Sequence, residues 1–400
     1  MAGTRIEATL VDTSNLLVAS PDQHLGFDFF GSVVSELPAD VLGKSLYLTG
    51  DISRFRGRLE GAARIFVVEE LSHGYDDSLE LVSLGQVPVQ VGGVGGVGGV
   101  GVYYRRFFDG NDSFHRISSE HTFQTLTESV KPSKAHRLGI YLTPVNHHGD
   151  ELHFRLLRCS TNLSGPTENF CATDRRIVTA LNAEASAVFR DHAPLNHVLA
   201  QIYTNTSATD GKQTKAKIAA HADKTKDMPV NGIMAFCTFY DGLGKLGPLP
   251  NDPFDYGYKG KSGLTRLHFR LKEPALQREG LLREFSLTLY PSSVFFMPLS
   301  TNRLYTHEIQ SSMLNAEMLP TRLGYVVRCS KTEAVHKSGG TFLKLDGQLV
   351  ELEPPTPEGM TALRELYAAE NRSDAFIDYG DKFRFSMNEG DYKAPHPKHD

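Results

Sequence analysis

Cysteine is scarce and scattered. The chain has four, Cys159, Cys171, Cys237 and Cys329, and no two form a CxxC pair. That spacing excludes a zinc ribbon and a disulfide scaffold, and it fits a reducing compartment. Long apolar runs are missing as well, with nothing near the ~18 consecutive apolar residues of a spanning helix. The opening MAGTRIEATLVDTSNLL lacks a basic segment followed by an apolar core, so no secretory signal is expected. A basic excess is also absent. The formal net charge is −5, which leaves nucleic-acid binding to a local cationic face rather than to the whole molecule. These absences predict a soluble intracellular protein with no membrane partner, and nothing in them separates nucleus from cytoplasm or fixes an oligomeric state. What is present is 400 residues at 40% hydrophobic content, enough for one large domain with appendages or for two.

Residues 1–90 mix short β-like runs (SLYLTG, RIFVVEE, LELVSLGQVPVQV) with polar turns and read as a β-rich extension. VGGVGGVGGVGV at 91–102 is too glycine-rich for a core strand and reads as a flexible low-complexity insert. It lacks the Lys-Ser/Thr that closes a P-loop, which weighs against a phosphate cradle. YYRRFF at 103–108 reads as a strand with an aromatic face. Residues 103–172 then extend a core at 173–350, and 351–400 supply a C-terminal helix and tail. A helix is predicted over 173–192, capped by Thr173 or Asp174. Its stripe is Ile177, Leu181, Ala185 and Val188, and Pro194 stops it. A second is predicted over 356–370, with Thr356 as cap and Pro357 in its first position. The final NEGDYKAPHPKHD, 388–400, reads as a mobile tail with solvated His396 and His399.

Between the two helices the signals are strands: HVLAQIYTN, GIMAFCTFYD, LTRLHFRLK, FSLTLY, SVFFMPL and LGYVVRCS. Many short strands joined by Gly, Pro, Asn and Ser turns predict an α+β, mainly β fold, a sandwich or barrel with one long helix over one sheet.

The chemistry centres on KAKIAAHADKTKDMPVNGIMAFCTFYD, residues 215–241. His221 and Asp223 stand two apart at a strand end, so they point to one face. One further histidine would complete a 2-His-1-carboxylate triad of the kind that holds Fe(II) and leaves positions open. With 16 histidines in the chain, such a pair arises by chance. HHGD offers His148 and Asp150 at the same spacing, in a polar turn that reads as a solvated loop. His221 and Asp223 have better company, because His307 follows NRLYT downstream. Beyond it, TRLGYVVRCS places Arg322 and Arg328 six apart and therefore on one face of a strand. Arginine in an apolar strand is costly to bury unpaired. A carboxylate-bearing co-substrate would satisfy it through a bidentate pair; a structural salt bridge is the alternative.

The order His221-x-Asp223, His307, Arg322 resembles the signature of Fe(II)/2-oxoglutarate dioxygenases, over roughly residues 195–332. HADKTKDMPVNG is similar to the H-x-D-x-x-D-x-P type segment of the TET/JBP nucleobase dioxygenases. The lead-in LNHVLAQIY and the Arg-x5-Arg pair suit AlkB-type nucleic-acid dioxygenases as well. The chain departs from TET/JBP in offering only FYDGLGKLGPLP for an F-x-G-G-x-L segment, and it lacks the cysteine-rich region of animal TET proteins. The resemblance implies a double-stranded β-helix (jelly roll) core with flanking helices and an N-terminal extension. It implies Fe(II) held by His221, Asp223 and His307, with Arg322, Arg328 and Tyr203 at the co-substrate. That co-substrate is 2-oxoglutarate. It becomes L-ascorbate (vitamin C) if the chain follows the green-algal branch, in which such Gly/Val tracts occur. The implied reaction consumes O2 and modifies the methyl group of 5-methylcytosine or thymine in DNA, which places the protein in the nucleus. An AlkB-like demethylase and a peptidyl hydroxylase of the same fold remain alternatives, as does a pseudo-enzyme whose metal is structural or lost.

A base must be flipped out of a duplex to reach such a metal. YGYKGKSGLTRLHFRLK, residues 256–272, supplies candidate phosphate contacts in Lys259, Lys261, Arg266, Arg270 and Lys272. Its alternation predicts one cationic and one apolar face, set beside the mouth of the site. GKQTKAK adds Lys212, Lys215 and Lys217. A charged edge strand that resists aggregation is the plainer reading of the same pattern.

Overall fold

The computed structural model describes residues 6–10, 15–20, 29–92, 99–110, 112–127, 134–158, 163–207 and 210–397. Cys159 and residues 93–98 of the Gly/Val tract lie outside them. Eight strands form the centre: β1 (His197–Tyr203), β2 (Ile218–His221), β3 (Ile233–Asp241), β4 (Arg266–Leu271), β5 (Glu284–Thr288), β6 (Ser293–Pro298), β7 (Tyr305–Gln310) and β8 (Thr321–Arg328). They are shared between two antiparallel sheets, and the chain crosses from one to the other at every step except β4 to β5. The larger contains the run β1-β8-β3-β6, and the smaller is β2-β7-β4-β5. This winding of one chain between two facing sheets is the double-stranded β-helix.

The sequence alternation builds the walls. On β3, Ala235, Cys237 and Phe239 face outward into a cluster with Leu323, Tyr325 and Val327 of β8. Met234 and Phe236 face inward, toward Leu267 and Phe269 of β4. Among the described residues the α-helices are α1 (Ser113–Glu120), α2 (Ala172–Val188), α3 (Leu299–Leu304) and α4 (Pro357–Arg372). The long helix α2 covers the outer face of the large sheet with Ile177, Leu181, Ala185 and Val188, all fully buried. Each of its large side chains contributes roughly 1.5–3 kcal/mol by burial. The helix starts earlier than its sequence suggests. Cys171 is the N-cap, and Asp174 reaches back from the third position to the Cys171 N–H at 2.7 Å. It ends at Val188, well short of Pro194, because Phe189–Arg190 pairs with Thr9–Leu10.

The larger sheet extends on both sides. Lys134–Thr143 pairs with β1, while Gly101–Tyr104 pairs with β6 and in turn with Val89–Val91. The end of the Gly/Val tract is therefore a core strand, contrary to its composition: Val102 is fully buried. Gly101 fits because a side chain there would strike the Phe295 ring and the Phe296 carbonyl, both about 2.5 Å from the Cβ position. Only the first two residues of YYRRFF are strand, which ends at Tyr104. Arg64 joins the separate parallel sheet of the first 90 residues to α2 through Glu184, at 2.8 Å. HHGD is a hairpin turn between Asn146–His148 and Glu151–Leu156, with His148 exposed. The expected tail is packed as far as residue 397, with Asn388 and Asp391 buried and His396 bridged to Glu168. Among the described residues no helix is long and apolar enough to cross a membrane.

Candidate metal centre

His221 and His307 face each other across β2 and β7, their ring centroids 4.5 Å apart. This alignment needs an irregularity. Ile218 opposes Ile309, but His221, rather than Ala220, opposes His307. One extra residue is therefore accommodated among Ala219 and Ala220. Without that bulge His221 would point out of the barrel, because strand side chains alternate. The strand ends at His221 and Asp223 lies just beyond it, so the pair straddles a strand end.

Asp223 Oδ1 lies 3.4 Å from His221 Nε2 and 3.8 Å from His307 Nε2. The three donor atoms fall within 4.8 Å of one another. His221 donates its Nδ1–H to the Ala219 carbonyl at 2.9 Å, which leaves the Nε2 lone pair facing inward. His307 is buried against Phe236 and Phe269, and its pKa is pushed down to about 3. Burial is the largest cause, followed by the neighbouring His221. The imidazole is thus neutral, the form that binds a metal. Burial works against the Asp223 carboxylate, but Arg328 and the two imidazoles outweigh it and hold its pKa well below the usual carboxylate range.

Arg328, expected at the co-substrate, stands on the carboxylate of the triad. Its fork grips Asp223 Oδ2, with Nη2 at 2.7 Å and Nε at 3.1 Å. Arg322, at the other end of β8, is different. It is only 5% exposed, and its Nε and Nη2 find no partner among the described residues. The guanidinium lies over the Tyr203 ring, 4.0 Å from its centroid, and Tyr203 donates to Gln201 Oε1 at 2.7 Å. Gly324 makes room for it, since a Cβ there would sit 2.8 Å from Arg322 Nη1. Arg322 lines a pocket with Tyr203, Asn205, Ala216, Thr265 and Ile309. Ile309 is two residues beyond His307 on the same face of β7, so the pocket adjoins the triad.

The cationic residues separate into groups. Arg266 and Arg270 lie on the outer face of the small sheet, opposite to Leu267, Phe269 and His307, and Arg270 stands near Glu284. They point away from the interior. Lys272 leaves the predicted cationic face altogether. It is 5% exposed and donates to the carbonyls of Asn302, Glu370 and Ser373, closing the C-terminal end of α4. Burial pushes its pKa down to about 8. Lys259 and Lys261 are exposed at the turn of a hairpin in the β3–β4 connection. Lys261 precedes Gly263, and Lys215 and Lys217 flank Ala216; both Gly263 and Ala216 line the pocket.

Sequence reading missed the residues that hold the triad. Asn302 of α3 accepts from the Asp223 N–H and donates to the Asp223 carbonyl. Asp227, from the segment HADKTKD, pairs with Arg158 at 2.7 Å rather than with the histidines. No local pattern marks either partner. A second group of potential ligands, Glu120, His121, Cys171 and Asp174, stands at the start of α2. There His121 already spends both ring nitrogens, on Glu168 at 2.8 Å and Asp174 at 2.7 Å. It is a buried ion-pair cluster.

No family profile matches the chain, and no curated protein matches it. Among solved structures, the chain is similar to the non-haem α-ketoglutarate-dependent epimerase SnoN from nogalamycin biosynthesis. The two are 11% identical over 60% of this chain and 82% of that one, with a TM-score of 0.34. OsALKBH1 is 13% identical over 57% of this chain and 96% of its own, at a TM-score of 0.33. A Pseudomonas putida prolyl-4-hydroxylase is 10% identical over 54% and 82%, at 0.27. At these scores the overlap is partial, and the double-stranded β-helix rests on the strand order itself.

Proposed function

We propose that this chain is an Fe(II)-dependent oxygenase. It would use O2 with 2-oxoglutarate, or ascorbate in its place, to modify the methyl group of 5-methylcytosine or thymine in DNA. The observation that carries the first part is the adjacency of two features: a converging His-Asp-His set, and a buried arginine whose Nε and Nη2 find no partner among the described residues. A buried guanidinium without a partner costs several kcal/mol, and a carboxylate removes that cost. Arg322 and Ile309 line one pocket, and Ile309 stands two residues from His307, so a dicarboxylate with one end on Arg322 would direct its other end toward the triad. Bound at His221, Asp223 and His307, Fe(II) would supply O2 activation and the attack on a C–H bond.

The chain's own residues do the rest. His221 and His307 offer Nε2, Asp223 offers Oδ1, and Arg328 keeps Oδ2 from competing. Phe236 and Phe269 exclude water from one side of the centre. Nucleic acid as substrate is supported by the resemblance of HADKTKDMPVNG and by Lys217, next to the lining residue Ala216, with Lys259 and Lys261 on the hairpin that leads to the lining residue Gly263, where they suit the phosphates flanking a flipped base. A DNA substrate implies work in the nucleus. The test is incubation with Fe(II), O2 and DNA that carries 5-methylcytosine, N-methylated bases or neither, with 2-oxoglutarate or ascorbate. Nucleoside mass spectrometry and succinate release are then measured. A modified 5-methyl group supports the proposal. Loss of an N-methyl group moves the assignment to a demethylase, and co-substrate turnover without DNA change removes DNA from it.

A further inference from the structure

We propose that the C-terminal segment is a working part of the metal centre, with Asn371 of α4 and Asn302 of α3 as positioning residues for Asp223. The inference rests on the triad reading above. Asp223 lies past the end of β2, where no ladder partner satisfies its peptide groups, and buried peptide groups must find partners elsewhere. They find them in two side-chain amides. The Ala222 N–H donates to Asn371 Oδ1 at 2.8 Å. The Asp223 N–H donates to Asn302 Oδ1 at 2.8 Å, and Asn302 Nδ2 donates to the Asp223 carbonyl at 2.9 Å. Asn302 thus replaces a strand partner on both sides of the ligand residue. It is itself 1% exposed.

The same block reaches further along the loop. Glu370 accepts from the Thr225 N–H and hydroxyl, and Lys224 Nζ donates to the Tyr367 carbonyl at 3.1 Å. Lys272 joins α3 to α4 by donating to the Asn302 and Glu370 carbonyls. With the peptide fixed by the two asparagines and Oδ2 fixed by Arg328, Oδ1 is left facing both imidazoles. Residues that orient a metal ligand typically contribute 10–100-fold to metal affinity. α4 follows the barrel in the chain by some 30 residues, so the contacts to Ala222, Lys224 and Thr225 on either side of the carboxylate ligand form only when the C-terminal segment docks.

The test is calorimetric titration of the full chain with Co(II) alone, for wild type, His307→Ala, Asn302→Ala, Asn371→Ala and Asn371→Asp. Thermal unfolding is followed on the metal-free proteins. His307→Ala is expected to lose Co(II) binding. Asn371→Ala and Asn302→Ala should weaken it about 10-fold or more, and Asn371→Asp, which keeps the acceptor oxygen, should bind near the wild-type level. If Asn302→Ala does not fold, the two Asn371 variants decide alone. Unchanged affinity in Asn371→Ala, with binding lost in His307→Ala, overturns the positioning role and leaves the triad standing. A lowered Tm with unchanged affinity does the same. Wild-type affinity in His307→Ala overturns the triad reading, and this proposal with it.

Discussion

Arg328 holds Asp223 by one carboxylate oxygen, with contacts of 2.7 and 3.1 Å to Oδ2, and Oδ1 faces the two histidines. The pair is nearly buried, at 9% and 11% side-chain exposure. One member therefore cannot be removed without stranding the other. Arg328→Met should destabilise the fold by about 3–5 kcal/mol and weaken Co(II) binding as well. Urea unfolding of the metal-free protein, beside the metal titration, checks both. Wild-type stability would show that the bridge does not hold Asp223.

Arg322 should behave in the opposite way. Its Nε and Nη2 donors find no partner among the described residues, so Arg322→Met should leave stability intact or raise it. Affinity for 2-oxoglutarate should fall about 10- to 100-fold, the range for hydrogen bonds to a charged group. Co(II) affinity should not change. Gly324→Ala should reproduce part of the co-substrate defect by displacing the guanidinium. Titration of the metal-loaded protein with 2-oxoglutarate decides. Unchanged affinity in Arg322→Met would end its role as carboxylate anchor and favour ascorbate.

His121 provides a pH-dependent contribution to stability. Burial opposes its charge, but the hydrogen bonds to Asp174 and Glu168 outweigh that and raise its pKa to about 9. A raised pKa stabilises the fold fully below the unfolded value of about 6.5, and the contribution fades as pH rises toward 9. His121→Gln should therefore be least stable relative to wild type at about pH 6, with the gap narrowing by about pH 9.5. Unfolding free energies of both proteins across that range test it. A gap that widens with pH would mean that His121 is neutral.

The two cationic groups should separate in DNA binding. Each lost phosphate contact lowers the salt-dependence slope by about 0.9 for duplex DNA. Lys259→Ala/Lys261→Ala should flatten the slope, because both lysines are exposed on the hairpin near the pocket. Arg266→Ala/Arg270→Ala, on the outer face of the small sheet, should leave the curve unchanged. DNA affinity at several salt concentrations distinguishes them. The reverse result would put the outer sheet face on the DNA, and overlap of all three curves would remove nucleic acid from the proposal.

The sequence by itself determined the elements whose cause is local. Alternation along GIMAFCTFYD and LGYVVRCS set which side chains face α2 and which face the barrel interior. The stripe Ile177, Leu181, Ala185, Val188 set the buried face of the long helix, and Thr356 with Pro357 set the start of α4. The spacing of His221 and Asp223, and the presence of His307 beyond a turn, were readable as candidate ligands for the same reason. Tertiary structure alone decided everything that depends on which segments meet. The bulge at Ala219 and Ala220 exists because β7 fixes the register of β2, and it alone turns His221 inward. Gly101 and Val102 became core strand because β6 offered a ladder edge and Phe295 required a residue without a side chain. Lys272 has the same alternation as Arg266 and Arg270, yet its ammonium is buried, because the carbonyls at the end of α4 arrive there from 98 residues away and beyond. Arg322 and Arg328 are equivalent by pattern. They divide into a guanidinium laid over Tyr203, with two donors unsatisfied among the described residues, and a carboxylate clamp, only because the loop carrying Asp223 folds back to one end of β8. Asn302 and Asn371 had no signal at all, since an asparagine that replaces a strand partner is recognisable only once the unpaired peptide it serves has been brought beside it.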